Sequence, residues 1–391
     1  MIYVGIDVAK DKHDCHILNS DGAVLCDNLS ITNSREGFEK LKDTLLSFSN
    51  GEMSKIKVGL EATGHYSDNL LSFLSSLAIQ IVEFNPLSVS RLKKAGSLRQ
   101  TKTDKNDARY IANLLVTDSS EPYRSPVYHI STLKSLSRAR FRLIKEIQPL
   151  KNLYRRQIHI LFPEIGKFFC NFYTNSILTL LQSFPSAKDI AECNVLRLSK
   201  ILSESSKGRI SKEKAVQIKQ SAKDSIASYD RGLAFELKQI IDRILFLEQQ
   251  KADLEKEISR IMDEINSPIT SIPGIGKILG AAILSEIGDI ANFSTPAKLL
   301  AFAGAEPSCY QSGKYTATNT PMVKHGSPYL RNALYLATTA AYIHSPSFRL
   351  YIGNKMAQGK HYYTAVSHGM KKMTRVIFAI LKTNTAYSER I

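Results

Sequence analysis

Two short apolar runs near the start of the chain, Ile2 to Val8 and Ile56 to Leu60, bring carboxylates to their far ends in Asp7 and Glu61. Runs of this length, rich in Ile, Val and Tyr, are too short for buried helices and read as buried strands. A third run, Ile79 to Phe84, has the same character, and helical stretches such as Gly37 to Phe48 and Tyr66 to Leu77 alternate with these strands. Strands alternating with helices require an α/β layout around a sheet, here over residues 1–125. A buried strand ending in an acid fixes the direction of that carboxylate, and the turn-forming Gly64 follows Glu61 closely.

Two more acids join them. Asp104 and Asp107 are three residues apart, ahead of Ala108, Ile111, Ala112, Leu114 and Leu115, so both can share one helical face. Carboxylates are hard oxygen ligands, and four from two strands and one helix suit Mg²⁺. Each acid alone is equally an ordinary strand-end or first-turn charge. The neighbourhood favours the metal reading, because Asp104 and Asp107 are the two acids among seven basic residues: Arg91, Lys93, Lys94, Arg99, Lys102, Lys105 and Arg109. Acids isolated in a basic stretch fit a site that faces a polyanion.

The charge balance points to the same partner. With 52 Lys and Arg against 36 Asp and Glu, the formal charge is +16, which gives long-range, salt-sensitive attraction to phosphate backbones. Membrane insertion is not expected, since no run approaches about 18 apolar residues. No signal segment is visible ahead of the first strand, which is expected to begin at Met1 or Ile2. Cysteines 15, 26, 170, 193 and 309 never form a CxxC pair and read as reduced thiols of a cytosolic protein.

After Pro122 and Pro126 the composition changes. Ser131 to Phe162 reads as a long helix with eight Lys or Arg against Glu146, and Pro149 is an expected kink. In a second long helix, Leu233, Leu237, Ile240, Ile244, Leu247, Leu254, Ile258, Ile261 and Ile265 fall at alternating four- and three-residue steps broken at Lys251. This is a coiled-coil seam, equally compatible with a dimer contact and with a hairpin onto the first helix. Residues 163–230 between them are polar and helical in tendency, with no motif. The regions expected are thus 1–125, a helical coiled-coil region over 126–266, and a mainly helical C-terminal domain over 267–391.

That last domain opens with SIPGIGKILGAAILSEIGDI, which resembles a helix-hairpin-helix. Gly274 and Gly276 would let backbone N–H groups approach a phosphate, with Lys277 adding charge. Further on, a polar loop containing Cys309, Ser312 and Lys314 lies between the apolar helices Ala297 to Ala303 and Tyr329 to Ala341, where functional side chains tend to be displayed. Lys314, His325 and Arg331 are candidate phosphate contacts. From Ser345 to Ile391 there are eight Lys or Arg and one acid, Glu389, and Lys371 and Lys372 are expected to contact a nucleic-acid backbone.

The ordered set GIDVAK, LEATGHY, KTDKNDA, SIPGIG, FAGAEP, QSGK and HGSPYLR resembles the insertion-sequence transposases with a DEDD-type RuvC-like domain, a family that includes Piv-type DNA invertases. The resemblance implies an N-terminal RNase H-like fold whose acids Asp7, Glu61, Asp104 and Asp107 bind Mg²⁺, and a C-terminal domain with a nucleophilic serine in a Ser-Gly motif, here Ser312. Many relatives carry two serines before the glycine, whereas this chain has Gln311 and then Ser312. The resemblance also implies double-stranded DNA partners (element ends and target), a structured bridge RNA as guide, and dimers assembling to tetramers with a composite site. Such an enzyme would work in the prokaryotic cytoplasm, on the nucleoid when bound to DNA. Two other classes stay open: a metal-dependent nuclease or junction resolvase using the acids alone, and a non-catalytic self-repressor.

Overall fold

The computed structural model describes residues 1–61, 64–77, 79–84, 89, 104–117, 128–308, 311–312, 315–316 and 321–389. The chain forms two compact units, Met1–Val127 and Tyr128–Ile391.

In the first unit, strands β1 (Ile2–Val8), β2 (Lys12–Leu18) and β3 (Val24–Thr32) form an antiparallel meander. Helix α1 (Arg35–Phe48) follows, then β4 (Ile56–Glu61), helix α2 (Asp68–Ser76), β5 (Gln80–Phe84) and helix α3 (Asp104–Thr117). The sheet order is β3-β2-β1-β4-β5, with β4 parallel to both β1 and β5. This mixed sheet flanked by helices bears out the α/β expectation for the N-terminal region.

Alternation along the strands assigns the two faces. Ile2, Val4 and Ile6 of β1 share a core with Ile56, Val58 and Leu60 of β4, Leu41 and Leu45 of α1, and Leu70 and Leu74 of α2. The residues between them point the other way, toward α3. A Cβ built on Gly5 would lie 2.2 Å from the Ala108 carbonyl oxygen and 2.3 Å from the Ala112 nitrogen, so the two glycines Gly5 and Gly59 let α3 lie close on the sheet. Ile111 and Leu115 of α3 complete that side with Val82 and Phe84.

The second unit is helical apart from one small hairpin. Helices α4 (Tyr128–Leu161) and α9 (Arg231–Ile265) run antiparallel. Their register is visible in the ion pairs Arg140–Glu255 and Lys151–Glu248, each 2.7 Å, and in the Gln157 amide donating to Glu236 at 2.6 Å. The heptad residues therefore pack on α4 of the same chain, the hairpin alternative, and α4 continues through Pro149 as one helix.

Residues 163–230, which showed no motif, fold into α5 (Asn175–Ser183), α6 (Ala187–Glu192), α7 (Val195–Ser205) and α8 (Lys212–Lys223). Side-chain caps start three of them: Ser186, Asn194 and Ser211. Ile177, Leu181, Leu198, Leu202 and Ile218 build a core against Tyr154 and Ile158 of α4 and Leu237 and Ile241 of α9. A second core joins the other end of the hairpin, through Leu133, Ile258 and Ile261, to α10 (Lys277–Ile287), α11 (Pro296–Phe302), α12 (Pro328–His344), α13 (Pro346–Ala357) and α14 (Tyr362–Thr383). Ahead of the Gly274-Ile275-Gly276 turn, the expected first helix of a helix-hairpin-helix is a single 3-10 turn, Pro268–Ser271. The prolines at 268 and 273 leave too little chain for more. Among the described residues no helix is long and apolar enough to cross a membrane.

Candidate active site

Three of the four expected carboxylates come from elements that meet on one side of the sheet. Asp7 lies two residues beyond Gly5 on β1, hence on the same face and about 6.6 Å further along the strand. Glu61 lies two beyond Gly59 on β4, and Gly5 and Gly59 are register partners. Asp107 is 8% exposed on α3, next to Ala108, whose carbonyl sits over Gly5. Asp104 is the first residue of α3, and its side chain lies outside the described residues, as does that of Lys105. Among the described residues no three His, Cys, Asp or Glu side chains form a group able to hold a metal. In kind, the donors suit a hard divalent cation: carboxylates from separate rigid elements on one face, with no soft ligand needed.

Sequence reading missed a further acid on this face. Asp14 of β2 stands directly across from Asp7 in the antiparallel register. Its residue is 4% exposed, and Lys12 donates to its Oδ2 at 3.1 Å. The signal was available: a three-residue connection between β1 and β2 fixes Asp7 opposite Asp14. Like charges at such a position are unfavourable without an intervening cation, and Lys12 supplies one. His16, next on the same face, bonds through Nδ1 to the Asp27 carbonyl at 2.9 Å.

Ser312 lies on a two-strand hairpin, β6 (Gln311–Ser312) and β7 (Tyr315–Thr316), with Ser312 paired to Tyr315. Its side chain and all of Cys309, Gly313 and Lys314 are outside the described residues. The base of this loop is well defined. Ser308 N donates to Pro321 O at 2.8 Å, Val323 N to Glu306 O at 3.0 Å and Lys324 N to Gly304 O at 3.1 Å. Gly304 has φ +62°, and a Cβ on Gly326 would lie 1.9 Å from Phe302 O, so the two arms touch through glycine backbone. Arg331, a candidate phosphate contact, donates Nη1 to Ala303 O at 3.1 Å and so braces the same base.

Beneath it sits a polar cluster that sequence reading also missed. Glu286 of α10, 5% exposed, accepts from Arg138 Nε at 2.6 Å and Nη2 at 3.0 Å, and from Ser327 Oγ at 2.8 Å. The hydrogen bond to Glu286 raises the Arg138 pKa, and the guanidinium also stacks 4.6 Å over the Tyr329 ring. Ser327 caps α12 as well.

The other basic candidates divide. Arg91, Lys93, Lys94, Arg99 and Lys102 lie outside the described residues. Gly274 has φ +86°, and an added Cβ would lie 2.7 Å from Ala340 Cβ, so this glycine serves close packing on α12. Gly276 caps α10 with open space around it, and Lys277 pairs with Asp263 at 2.8 Å. Lys372 donates to Ser347 O at 3.1 Å and lies 4.8 Å over the Phe348 ring, with burial lowering its pKa; Lys371 beside it is half-buried.

An α/β domain with strand-end carboxylates, joined to a helical unit that displays a serine hairpin, defines a class of protein that acts on phosphodiesters. Comparison with known proteins makes this specific. A transposase model of the DEDD IS110 type matches residues 4–163, and a model described as the transposase IS116/IS110/IS902 family matches residues 266–353. The chain belongs to this family of insertion-element transposases. The pilin gene-inverting protein of Moraxella bovis is 24% identical over 396 residues, spanning 100% of this chain and 98% of the relative. The IS116 protein of Streptomyces clavuligerus is 23% identical over 391 residues, spanning 99% and 96%. Thermus thermophilus RuvC, solved with a Holliday junction substrate, aligns with 32% of this chain and 100% of its own at 14% identity and a TM-score of 0.24.

Proposed function

We propose that this transposase cuts and rejoins double-stranded DNA at the ends of its own element and at a target, through a covalent link to Ser312. Family membership is the observation that carries the reading, and the placement of Asp7, Glu61 and Asp107 on elements of the α3 side of the sheet supports it. In the cutting step the Ser312 hydroxyl oxygen attacks a backbone phosphorus. An oxygen–phosphorus bond to serine forms, the bond from phosphorus to one sugar oxygen breaks, and that oxygen leaves with a proton. Rejoining is the reverse attack by a strand-end hydroxyl, which releases the serine. Bond energy is conserved in the phosphoserine link, so no ATP is required.

A serine hydroxyl is a weak nucleophile at neutral pH and needs help to lose its proton. Asp7, Glu61, Asp104 and Asp107 would hold Mg²⁺, which when bound polarises the scissile phosphate and stabilises the departing oxygen. Asp14, opposite Asp7, and Lys12 set the charge around that pair. The hairpin base at Gly304 and Gly326 holds the serine loop at a fixed point of the helical unit. Basic residues from Arg91 to Lys105, with Lys277, Lys314 and Lys371, draw the phosphate backbone. Target choice belongs to a structured guide RNA, and subunits associate as dimers and tetramers so that one copy's serine works with another's acids, in the bacterial cytoplasm.

The test is expression of the gene with its native flanks in bacterial cells, followed by denaturing extraction and a search for DNA attached to protein. An adduct that disappears in Ser312→Ala and in Asp104→Ala is expected. Cleavage that needs Asp104 but ignores Ser312, with no adduct, would establish a metal-dependent nuclease instead.

A further inference from the structure

Residues 164–265 lie outside both family models, yet they build a hydrophobic core against α4 and an open cleft of about 470 Å³. One wall is the first two turns of α9. Arg231, Phe235 and Lys238 line the cleft and, four and then three residues apart, share a helical face, while the adjacent Ala234 and Leu237 are buried in the core. Phe184, Arg197 and Tyr229 line it from the α5–α6 connection, α7 and the segment before α9.

Two features separate this cleft from an ordinary surface groove. Two of its aromatic rings stand in solvent, Phe235 at 66% exposed and Tyr229 at 49%, while Phe184 is buried. Cations accompany its rings, with Lys188 Nζ 4.5 Å from the Tyr229 centroid and the Arg197 guanidinium 5.4 Å from that of Phe184. Of the two acids in the lining, Asp189 is engaged in a capping box with Ser186, accepting from its hydroxyl at 2.6 Å. The lining thus carries Arg197, Arg231 and Lys238 against the two carboxylates Asp189 and Glu192.

We propose that this cleft binds an unpaired stretch of RNA, with bases stacked on Phe235 and Tyr229 and phosphates held by Arg197, Arg231 and Lys238. Exposed aromatic platforms flanked by cations are the chemistry of single-strand recognition. A duplex hides its base faces and cannot use them. The net positive lining favours a polyanion. The choice of RNA over single-stranded DNA rests on the reading given under Proposed function, where the DNA partners are duplex and the guide is a structured RNA with unpaired loops.

The test uses the full chain and three fluorescent probes in anisotropy titrations: a short oligouridylate, an oligodeoxythymidylate of the same length, and a duplex. Phe235→Ala and Tyr229→Ala are each expected to weaken oligouridylate binding by about tenfold, while Phe235→Trp retains it and duplex affinity stays within about twofold. Both side chains are exposed, so truncation leaves the core intact. Oligouridylate affinity unchanged in the double variant would overturn the assignment, as would an equal loss for the duplex. Tighter, Phe235-dependent binding of the oligodeoxythymidylate would overturn the choice of RNA. Duplex binding without oligouridylate binding removes the cleft proposal alone, whereas binding of neither probe removes the nucleic-acid reading with it.

Discussion

Gly5→Ala is the sharpest test of how the carboxylate face is built. The new methyl carbon would stand 2.2 Å from Ala108 O, 2.3 Å from Ala112 N and 2.9 Å from Ala112 Cα, all backbone atoms of one helix. Ordinary contact is about 3.4 Å or more, so α3 must lift by roughly 1 Å, because no side-chain rotation can relieve a backbone clash. Overpacking of this kind costs about 1–3 kcal/mol. Lifting α3 also opens a gap beneath Ile111, Ala112 and Leu115, which are at most 1% exposed, and a gap of that size forfeits a quarter to a half of each contact. Against this stands a gain of about 0.4–1 kcal/mol from a stiffer unfolded chain. The net expectation is a loss of about 3 kcal/mol in the first unit. Metal-ligand distances tolerate only about 0.2 Å, so Mg²⁺-dependent cleavage should fall further than the lost stability explains. Hydrogen exchange of peptides from residues 104–117, with urea unfolding, reads the first effect, and strand cleavage with varied Mg²⁺ reads the second. Gly353→Ala is the control: its Cβ meets nothing within 4 Å on α13, and it should be neutral or stabilising by up to about 1 kcal/mol. Protection in α3 unchanged by Gly5→Ala would refute the close seating of α3 on β1.

Three further outcomes are expected. Arg138→Ala leaves the Glu286 carboxylate buried with the Ser327 hydroxyl still donating to it; because Arg138 is 37% exposed, the usual cost of breaking a buried pair is discounted to about 2 kcal/mol, and urea unfolding within 0.5 kcal/mol of wild type, roughly the scatter of neutral surface changes, would exclude the network as a brace. Burial lowers the pKa of His13 against opposing influences from Asn33 and Asp14, so the unfolded chain binds a proton first as pH falls. The stability contributed by neutral His13 is full above about pH 6.5 and is lost below it, and His13→Asn should flatten the stability profile in that window; an unchanged profile would count against it. Lys371→Glu should weaken DNA binding and reduce its salt slope by about one, whereas Lys372→Glu should chiefly lower stability by placing a carboxylate against Ser347 O and the Phe348 ring. Equal effects of the two on DNA binding, with folding intact, would show that Lys372 reaches DNA despite these contacts.

Strands β1, β4 and β5 were legible because burial on both faces leaves a dense run of Ile and Val, whereas the polar β2 and the largely exposed β3 went unread. The partner of the heptad seam was not legible, since a 3.5-residue period is the same whether the facing helix belongs to the same chain or another. Residues 163–230 hid their fold for a different reason: helices of 6–12 residues bury only two to four apolar positions each, and the core exists only once all of them meet. Asp14 escaped notice because His13, Asp14, Cys15 and His16 read as polar, yet all four are buried in β2, held there by the strands on either side. Gly274 was read as letting backbone N–H groups approach a phosphate, and the structure shows it in a left-handed conformation packed against Ala340.

The C-terminal motifs divide into chemistry and support in a way their spacing does not reveal. The glycine of FAGAEP and the Gly326, Ser327 and Arg331 of HGSPYLR make one joint: Gly304 and Gly326 touch backbone to backbone, Arg331 bonds across it to Ala303, and Ser327 ties it to Glu286. Placing rigid, hydrogen-bonded glycine backbone at the root transfers the order of α10, α11 and α12 to the residues just before and after the hairpin. Under the proposed function, substitutions at the root should act on Ser312 through its position, lowering turnover and stability together, whereas Ser312→Ala should abolish joining with stability unchanged.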